Sequence, residues 1–413
     1  LIKRVVSDNG LRIMFEPNHT VRSVSIGVWI GTGSRFETKI QNGVSHFLEH
    51  MFFKGTKSRN AQQIAESFDS IGGQVNAFTS KEYTCYYAKV LDEHAEHAVE
   101  VLADMYFNSV FDPGEMKKEK GVVLEEIKMY EDTPDDIVHD LLSQAGYGDH
   151  PLGYPILGTE ETLETFSGDS LTHYMNQFYN ADNVVISVCG NVDESFVDFI
   201  QKTFRDMRQD KSDKTLSRPE FKYGKMARKK ETEQAHLCIG YEGLSIGHED
   251  IYSLVLLNNV LGGSMSSRLF QEIRENRGLA YSVFSYHSSF HDTGMVTLYA
   301  GTAVKHLDDM YQCLSDVVSN VKENGITEKE LRNAKEQLKG SLMLGLESTN
   351  SRMSRNGKNE LLLGRHRTLD EIVHEIDKVT LMDVKKTGNN IFSRDCAMTL
   401  VSPDGRLPEG SGC

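Results

Sequence analysis

Nowhere in the 413 residues does an apolar run approach the roughly 20 that a membrane helix needs, which argues against a membrane-spanning chain. The opening stretch, LIKRVVSDNGLRIMFEP, lacks the apolar segment of a secretory signal; it reads as a strand, an Asn9-Gly10 turn and a second strand. A basic surplus is also missing. The formal net charge is −15, which speaks against a general nucleic-acid surface. An acidic protein attracts cationic partners such as basic peptides, although solubility alone also explains the charge. No CxxC pair is present. Cys85, Cys189, Cys238, Cys313, Cys396 and Cys413 are scattered, and several sit in apolar strand patterns such as VVISVCGN and AHLCIGYEG. That pattern favours buried free thiols in a reducing compartment over a disulfide framework, with the cytoplasm as the simplest location. GGSMSS at 262–267 precedes no P-loop lysine, so nucleotide binding is not indicated.

What remains is an ordinary globular composition, 39% apolar and 25% charged, in a chain long enough for two or more domains. In the first half, LRIMFEP, VSIGVWIGTG, QVNAFTS, YTCYYAKVL and NVVISVCGN read as strands. NAQQIAESFDSIGG reads as a helix between an Asn60 cap and a Gly72 stop, and a long helix is followed by another that opens at Pro113. After a charged stretch the order recurs. AHLCIGYEG matches an early strand, SVFSYHSSF and MVTLYAGT the later pair, and CAMTLVSPDG matches VVISVCGNVD. The reading is two related α+β domains, 1–207 and 234–413, joined by a linker at 208–233. Paired strands lie close enough in sequence to be antiparallel hairpins. The basic run KMARKKE at 225–231 reads as a solvated face of that linker.

The sharpest signal is GVSHFLEHMFFKGT, residues 43–56. On a helix His46 and His50 lie on one face, one turn apart, so both can reach one ion. Zinc takes imidazole nitrogen and carboxylate oxygen, and a catalytic site keeps one position open for water. Glu49 borders the same place, where a carboxylate can take a proton from that water. The competing reading is a buried helix that uses both histidines as hydrogen-bonded polar groups. A third ligand must come from elsewhere. Glu119 and Glu126 in EKGVVLEEIKMYED are two helical turns apart and face the same way, as they would on any acidic surface stripe. On the residues alone Glu126 is one candidate among many.

The motif, with EEI some 76 positions later, resembles the inverted H-x-x-E-H signature of the zinc peptidases that include pitrilysin, insulin-degrading enzyme and the mitochondrial processing peptidase. The resemblance extends over nearly the whole chain, taking in GDHPLGYPILGTEE and SRLFQEIRENRGLAYSVFS, and is closest to the branch of about 400 residues. It implies two homologous domains, each a mainly antiparallel sheet with flanking helices, closing as a clamshell. It implies one zinc per chain on His46, His50 and Glu126, with Glu49 as general base and Glu119 supporting the site. It further implies that an extended substrate pairs with QVNAFTS beside Asn76, Ala77 and Phe78. Arg274 and Tyr281, seven apart, would hold the substrate carbonyl as its charge develops. The alternative for Arg274 is a surface salt bridge with Glu272 or Glu275. The second half has NNVLGGSMSS where the histidine motif would recur, so it is expected to bind no metal.

The resemblance thus implies a zinc endopeptidase for peptides or unfolded segments, and both site halves on one chain favour a homodimer; the net charge and the lack of long apolar runs speak against nucleic acid and membrane insertion. Its rival is a non-catalytic or partner-dependent subunit of the same fold. His94 and His97 read as a solvated face, His287 and His291 as a strand pair unsuited to act as a helix pair, and His150 as structural.

Overall fold

Strand β3 (Ser23–Ile30) buries seven of its eight residues, so it can only be central, with both faces covered. The computed structural model, which describes residues 2–411, places it so. With β1 (Lys3–Val6), β2 (Arg12–Pro17), β4 (Gln74–Thr79), β5 (Thr84–Leu91) and β6 (Val184–Gly190) it forms a sheet ordered β1-β2-β6-β3-β5-β4. Alternate residues serve different faces. Ile13, Phe15, Val24, Ile26, Val28 and Ile30 join one large core with α1 (Val44–Met51), α2 (Ala61–Asp69) and α3 (Ala95–Asn108). Met14, Trp29, Cys85, Val185 and Cys189 join a second, smaller core around Met353.

A second sheet combines β7 (Lys225–Lys229), β8 (Ala235–Glu242), β9 (Ala280–Ser289), β10 (Gly294–Thr302) and β11 (Ala397–Ser402) in the order β7-β11-β8-β10-β9. With β1 set aside, the two sheets correspond strand for strand. In each, the first pair is parallel and every other pair antiparallel. The doubling read from the order of elements is therefore a doubling of topology, and the fold is α+β with two domains.

The compact units divide the chain differently from the contiguous halves 1–207 and 234–413. One unit comprises Leu1–Ile127, Tyr154–Leu216 and Met343–His366; the other comprises Lys128–Gly153, Ser217–Leu342 and Arg367–Cys413. Each half of the sequence lends the other a helix, and side-chain shape explains why. In the first unit, the late helix Thr349–Leu363 lays Met353 against Trp29, whose Nε1 donates to Met353 Sδ at 3.4 Å. Ser187 Oγ donates to Met353 O at 2.7 Å, and Arg4 Nε donates to the buried Glu360 carboxylate at 3.0 Å. In the second unit, after α4 (Pro113–Glu131), α5 (Pro134–Tyr147) packs Ile137, Val138, Leu141, Leu142 and Ala145 on Cys238, Met295, Tyr299, Ala397 and Val401. Hydrophobic periodicity shows that a helix has an apolar face, not which sheet the face fits.

The basic run at 225–231 is a second departure from expectation. Most of it is β7, an edge strand paired in parallel with β11, so its main chain is bonded while Lys225, Ala227 and Lys229 face water. Lysine on an edge strand discourages further pairing, which makes such a strand look like a solvated loop in sequence. Cys85, Cys189, Cys238 and Cys313 are free and buried, whereas Cys396 is disulfide-bonded, unlike the free thiol expected. Cys413, like Leu1 and Gly412, lies outside the described residues. Among the described residues no helix is long and apolar enough to cross a membrane.

Gly357 is where the late helix meets the sheet. A Cβ there would lie 2.4 Å from Trp29 Nε1 and 2.6 Å from Cδ1, atoms of a fully buried, rigid ring. Alanine in a helix interior ordinarily gains up to about 1 kcal/mol over glycine, whereas overpacking costs about 1–3 kcal/mol. Gly357→Ala is therefore expected to lower stability by roughly 1–2 kcal/mol. A urea midpoint equal to or above wild type would contradict this packing.

Candidate metal centre

The helix α1 begins without an N-cap side chain. Its N-cap residue is Gly43, at φ +93. The exposed N–H groups of a helix start need acceptors, and here Glu37 provides them. Its buried carboxylate accepts from Gly43 N at 2.8 Å, Ser45 N at 2.9 Å and Asn42 Nδ2 at 3.0 Å. Burial pushes the Glu37 pKa up, against the pull of these hydrogen bonds. A Cβ on Gly43 would meet Gly158 Cα at 2.7 Å, so glycine is required both by φ and by the close approach of the 157–158 backbone. Ser45 Oγ and Thr32 Oγ1 share the buried Tyr174 hydroxyl at 2.7 and 2.6 Å. The helix is thus fixed at its start before it presents any ligand.

His46 and His50 project from this helix toward α4. Their Nε2 atoms are 3.2 Å apart, and Glu126 Oε2 lies 3.6 Å from the first and 3.5 Å from the second. A tetrahedral ion with bonds of about 2.0–2.1 Å requires ligand–ligand edges of roughly 3.3–3.4 Å, so the three donors match one face of a zinc tetrahedron. They are the group of His, Cys, Asp and Glu side chains able to hold an ion among the described residues. His46 Nδ1 is buried without a hydrogen-bond partner, leaving Nε2 as the working atom of that ring. Burial, and then the neighbouring His50, lower the His46 pKa to about 3, which keeps it in the neutral form a metal ligand requires.

His50 is held from behind. Its Nδ1 donates to Glu119 Oε1 at 2.7 Å, which leaves Nε2 for the ion. Lys54 Nζ reaches the other Glu119 oxygen at 2.9 Å. Burial opposes charge on His50. The Glu119 hydrogen bond and the charges of Glu49, Glu119 and Glu126 together outweigh it and raise its pKa. The pocket that favours a proton on this ring favours positive charge of any kind, a divalent ion included. Burial also opposes charge on Glu119, but hydrogen bonds from His50 and Lys54 prevail and lower its pKa.

Glu49 lies on the same helix, and its Oε2 accepts from Thr79 Oγ1 at 2.6 Å, tying it to the end of β4. Burial raises its pKa despite that hydrogen bond. A cavity of about 500 Å³ opens beside it, lined by Glu49, His50, Phe53, Ile64, Val75 and Asn76 among others. The strand β4 is the open edge of its sheet. Ala77 N donates to the Asn76 side chain at 2.8 Å. The Phe78 ring packs edge-on against Trp29 at 5.7 Å, on the face of β4 opposite Thr79 and Glu49. Beside Glu49 the strand offers its main-chain edge, with Val75 and Asn76 lining the cavity.

Arg274 and Tyr281 belong to the other compact unit, where the structure brings them together. The guanidinium lies 4.6 Å from the Tyr281 ring centre. Of the two salt bridges weighed for Arg274, only a loose contact with Glu275 at 3.7 Å forms, and Glu272 pairs with Arg277 instead. His150 plays a structural part, accepting at Nδ1 from Leu152 N at 3.2 Å. Sequence reading missed Glu37, Thr79, Lys54 and Tyr174. Lys54, four residues beyond His50, carried a weak spacing signal, whereas Glu37 and Tyr174 carried none.

The sequence model described as "Insulinase (Peptidase family M16)" matches residues 12–160, and that of the "Peptidase M16 inactive domain" matches 165–338. The chain belongs to peptidase family M16. The candidate metal ligands His46, His50 and Glu126 lie within the M16 insulinase match, and Arg274 and Tyr281 lie within the match to the inactive domain. YmxG of Bacillus subtilis, an "uncharacterized zinc protease", is 63% identical over 408 residues, covering 99% of this chain and 100% of YmxG. The "uncharacterized zinc protease" SCO5738 of Streptomyces coelicolor is 39% identical, over 97% of this chain and 90% of its own length. Among solved structures, a protease from Helicobacter pylori superposes with TM-score 0.91 at 22% identity, covering 98% and 99% of the two chains. A chain of complex III2 from Candida albicans does so with TM-score 0.85 at 21% identity, covering 98% and 96%. These two structures share the M16 fold with this chain.

Removing one carboxylate ligand tests the set directly. Glu126→Gln is expected to lose its zinc on dialysis against a metal buffer from which the wild type retains it, measured by elemental analysis. Undiminished zinc in the variant would remove Glu126 from the ligand set.

Proposed function

We propose that this protein is a zinc endopeptidase that hydrolyses peptides or unfolded segments of polypeptide. The observation that carries the reading is Glu49, a carboxylate tied to the edge strand by Thr79 and opening on the same cavity as the ligand His50. Zinc held by His46, His50 and Glu126, one ion per chain, supplies Lewis acidity that polarises a carbonyl and acidifies water. Glu49 accepts the proton of the attacking water and delivers it to the leaving amine nitrogen. Its raised pKa places it nearer neutrality, where a base able to return its proton is most effective. The open edge of β4 pairs with an extended substrate through main-chain groups, which are indifferent to side chain. To do so, the substrate displaces the Asn76 side chain from Ala77 N. Arg274 and Tyr281 donate to the carbonyl oxygen as negative charge develops on it.

The family and the names of its relatives support a protease. A non-catalytic subunit would have no use for a complete ligand set with a base beside it. We further propose a cytoplasmic homodimer, in keeping with four free buried thiols and with both sets of site residues on one chain. Light scattering on the purified protein should give twice the mass of the 46.5 kDa chain; a monomer that gains activity only with a second, different chain would reverse that part of the reading.

Glu49→Gln is expected to keep its zinc and lose cleavage of a fluorogenic basic peptide by about 10²–10⁴-fold. Cleavage at the wild-type rate by the zinc-loaded variant would refute the mechanism.

A further inference from the structure

Lys54 stands just past the end of α1, which stops at Met51. The chain there closes a tight turn, in which Phe53 N donates to His50 O at 3.2 Å and Lys54 N to Met51 O at 3.1 Å. The residues that follow are anchored. Thr56 Oγ1 donates to the buried Asp104 carboxylate at 2.7 Å, Lys57 N to Asn108 O at 2.9 Å, and Val110 N to Gly55 O at 3.2 Å, which fixes the turn to the end of α3. From this fixed backbone Lys54 lines the cavity beside Glu49 and His50, and its ammonium ends on Glu119 Oε2 at 2.9 Å. Glu119 is buried, and its two oxygens are divided: Oε1 accepts from His50 Nδ1 at 2.7 Å, and Oε2 accepts from Lys54. Lys54, Glu119, His46, His50 and Glu126 all belong to the first compact unit.

Rotation of a carboxylate about its last bond is soft, because that torsion has broad, two-fold minima. One hydrogen bond to His50 therefore does not fix the plane of Glu119, whereas a second to its other oxygen does. We propose that Lys54 is a positioning residue of the metal centre: it locks the Glu119 carboxylate in the plane that holds the His50 ring with Nε2 toward the ion. This rests on the reading of His46, His50 and Glu126 as zinc ligands. Two effects of the ammonium oppose each other. By charge alone it repels a divalent ion, so its loss would tighten zinc. By position it preorganises a ligand, so its loss would weaken zinc. The geometry favours the second. The ammonium is paired directly with a carboxylate, which cancels most of its field at the ion. The orientation it imposes passes to His50 through two contacts of charge-assisted length.

The test measures the zinc affinity of the whole chain by competition with a chromogenic chelator, with thermal unfolding of the zinc-free forms in parallel. Lys54→Met keeps the unbranched stem and removes the ammonium; Lys54→Gln takes its place if the methionine variant does not fold. Zinc affinity is expected to fall about 5–10-fold, less than the roughly 10–100-fold that follows loss of a direct partner of a ligating histidine. Lys54→Arg returns a charged donor to Glu119 and brings the affinity to within about twofold of wild type. Glu119→Gln alone weakens zinc by about 10-fold or more. In that background Lys54→Met costs nothing further, because the carboxylate it positions is gone. Zinc binding that is unchanged or tighter in Lys54→Met would show that the ammonium does not position the ligand, and would overturn the proposal. So would equal losses in both backgrounds, the mark of a merely structural lysine. If Glu119→Gln leaves zinc affinity unchanged, Glu119 does not orient His50, and the role of Lys54 falls with it. A wild-type chain that takes up no zinc would instead undo the reading of the metal centre itself.

Discussion

Two imidazole lone pairs and a carboxylate oxygen held within 3.2 to 3.6 Å of one another repel unless a cation lies between them. Much of the first unit can be understood as the scaffold that enforces this arrangement. The start of α1 is pinned by Glu37, by the glycine contact of Gly43 with Gly158 and by the Tyr174 hydroxyl. Farther along, Glu119 orients the His50 ring and is itself held by Lys54. These are buried, directional interactions. Each would be costly to leave half made, so together they permit one geometry.

The doubling of the fold gives this constraint a counterpart. The helix Ile251–Gly262 follows β8 as α1 follows β3, and β9 matches β4 in the sheet order. Each helix is tied to its edge strand by a hydroxyl: Thr79 donates to Glu49 at 2.6 Å, and Ser285 donates to Asn258 Oδ1 at 2.8 Å. The contact is common to both units, but in one it ends on a carboxylate beside two histidines and in the other on a neutral amide. The group His46, His50 and Glu126 therefore stands in one unit, while the matching helix of the other, IYSLVLLNNVLG, carries no histidine.

How much of this was legible in sequence follows from the range of each interaction. The histidine pair was legible because four residues on a helix is a local distance, and the strands and their repeated order because alternation is local too. The third ligand was only a candidate: Glu126 is separated from His50 by 76 positions, and spacing does not say that α4 crosses α1. Trp29 and Met353 are 324 positions apart, so the exchanged helix was invisible. The edge strand β7 was hidden by its lysines, since a strand bonded on one side and wet on the other looks like a charged loop.

The sequence by itself determined the chemistry available: two imidazoles and a carboxylate on one helical turn, the α+β composition, and the order of elements that repeats. Those follow from periods of two and of about four residues, which every neighbour along the chain can satisfy alone. Only the tertiary structure decided which carboxylate completes the triangle, which sheet receives which helix, and that an arginine guanidinium comes to lie over the ring of a tyrosine seven residues on. Each of those depends on the fit between surfaces that meet only after the chain has folded, and no local period records that fit.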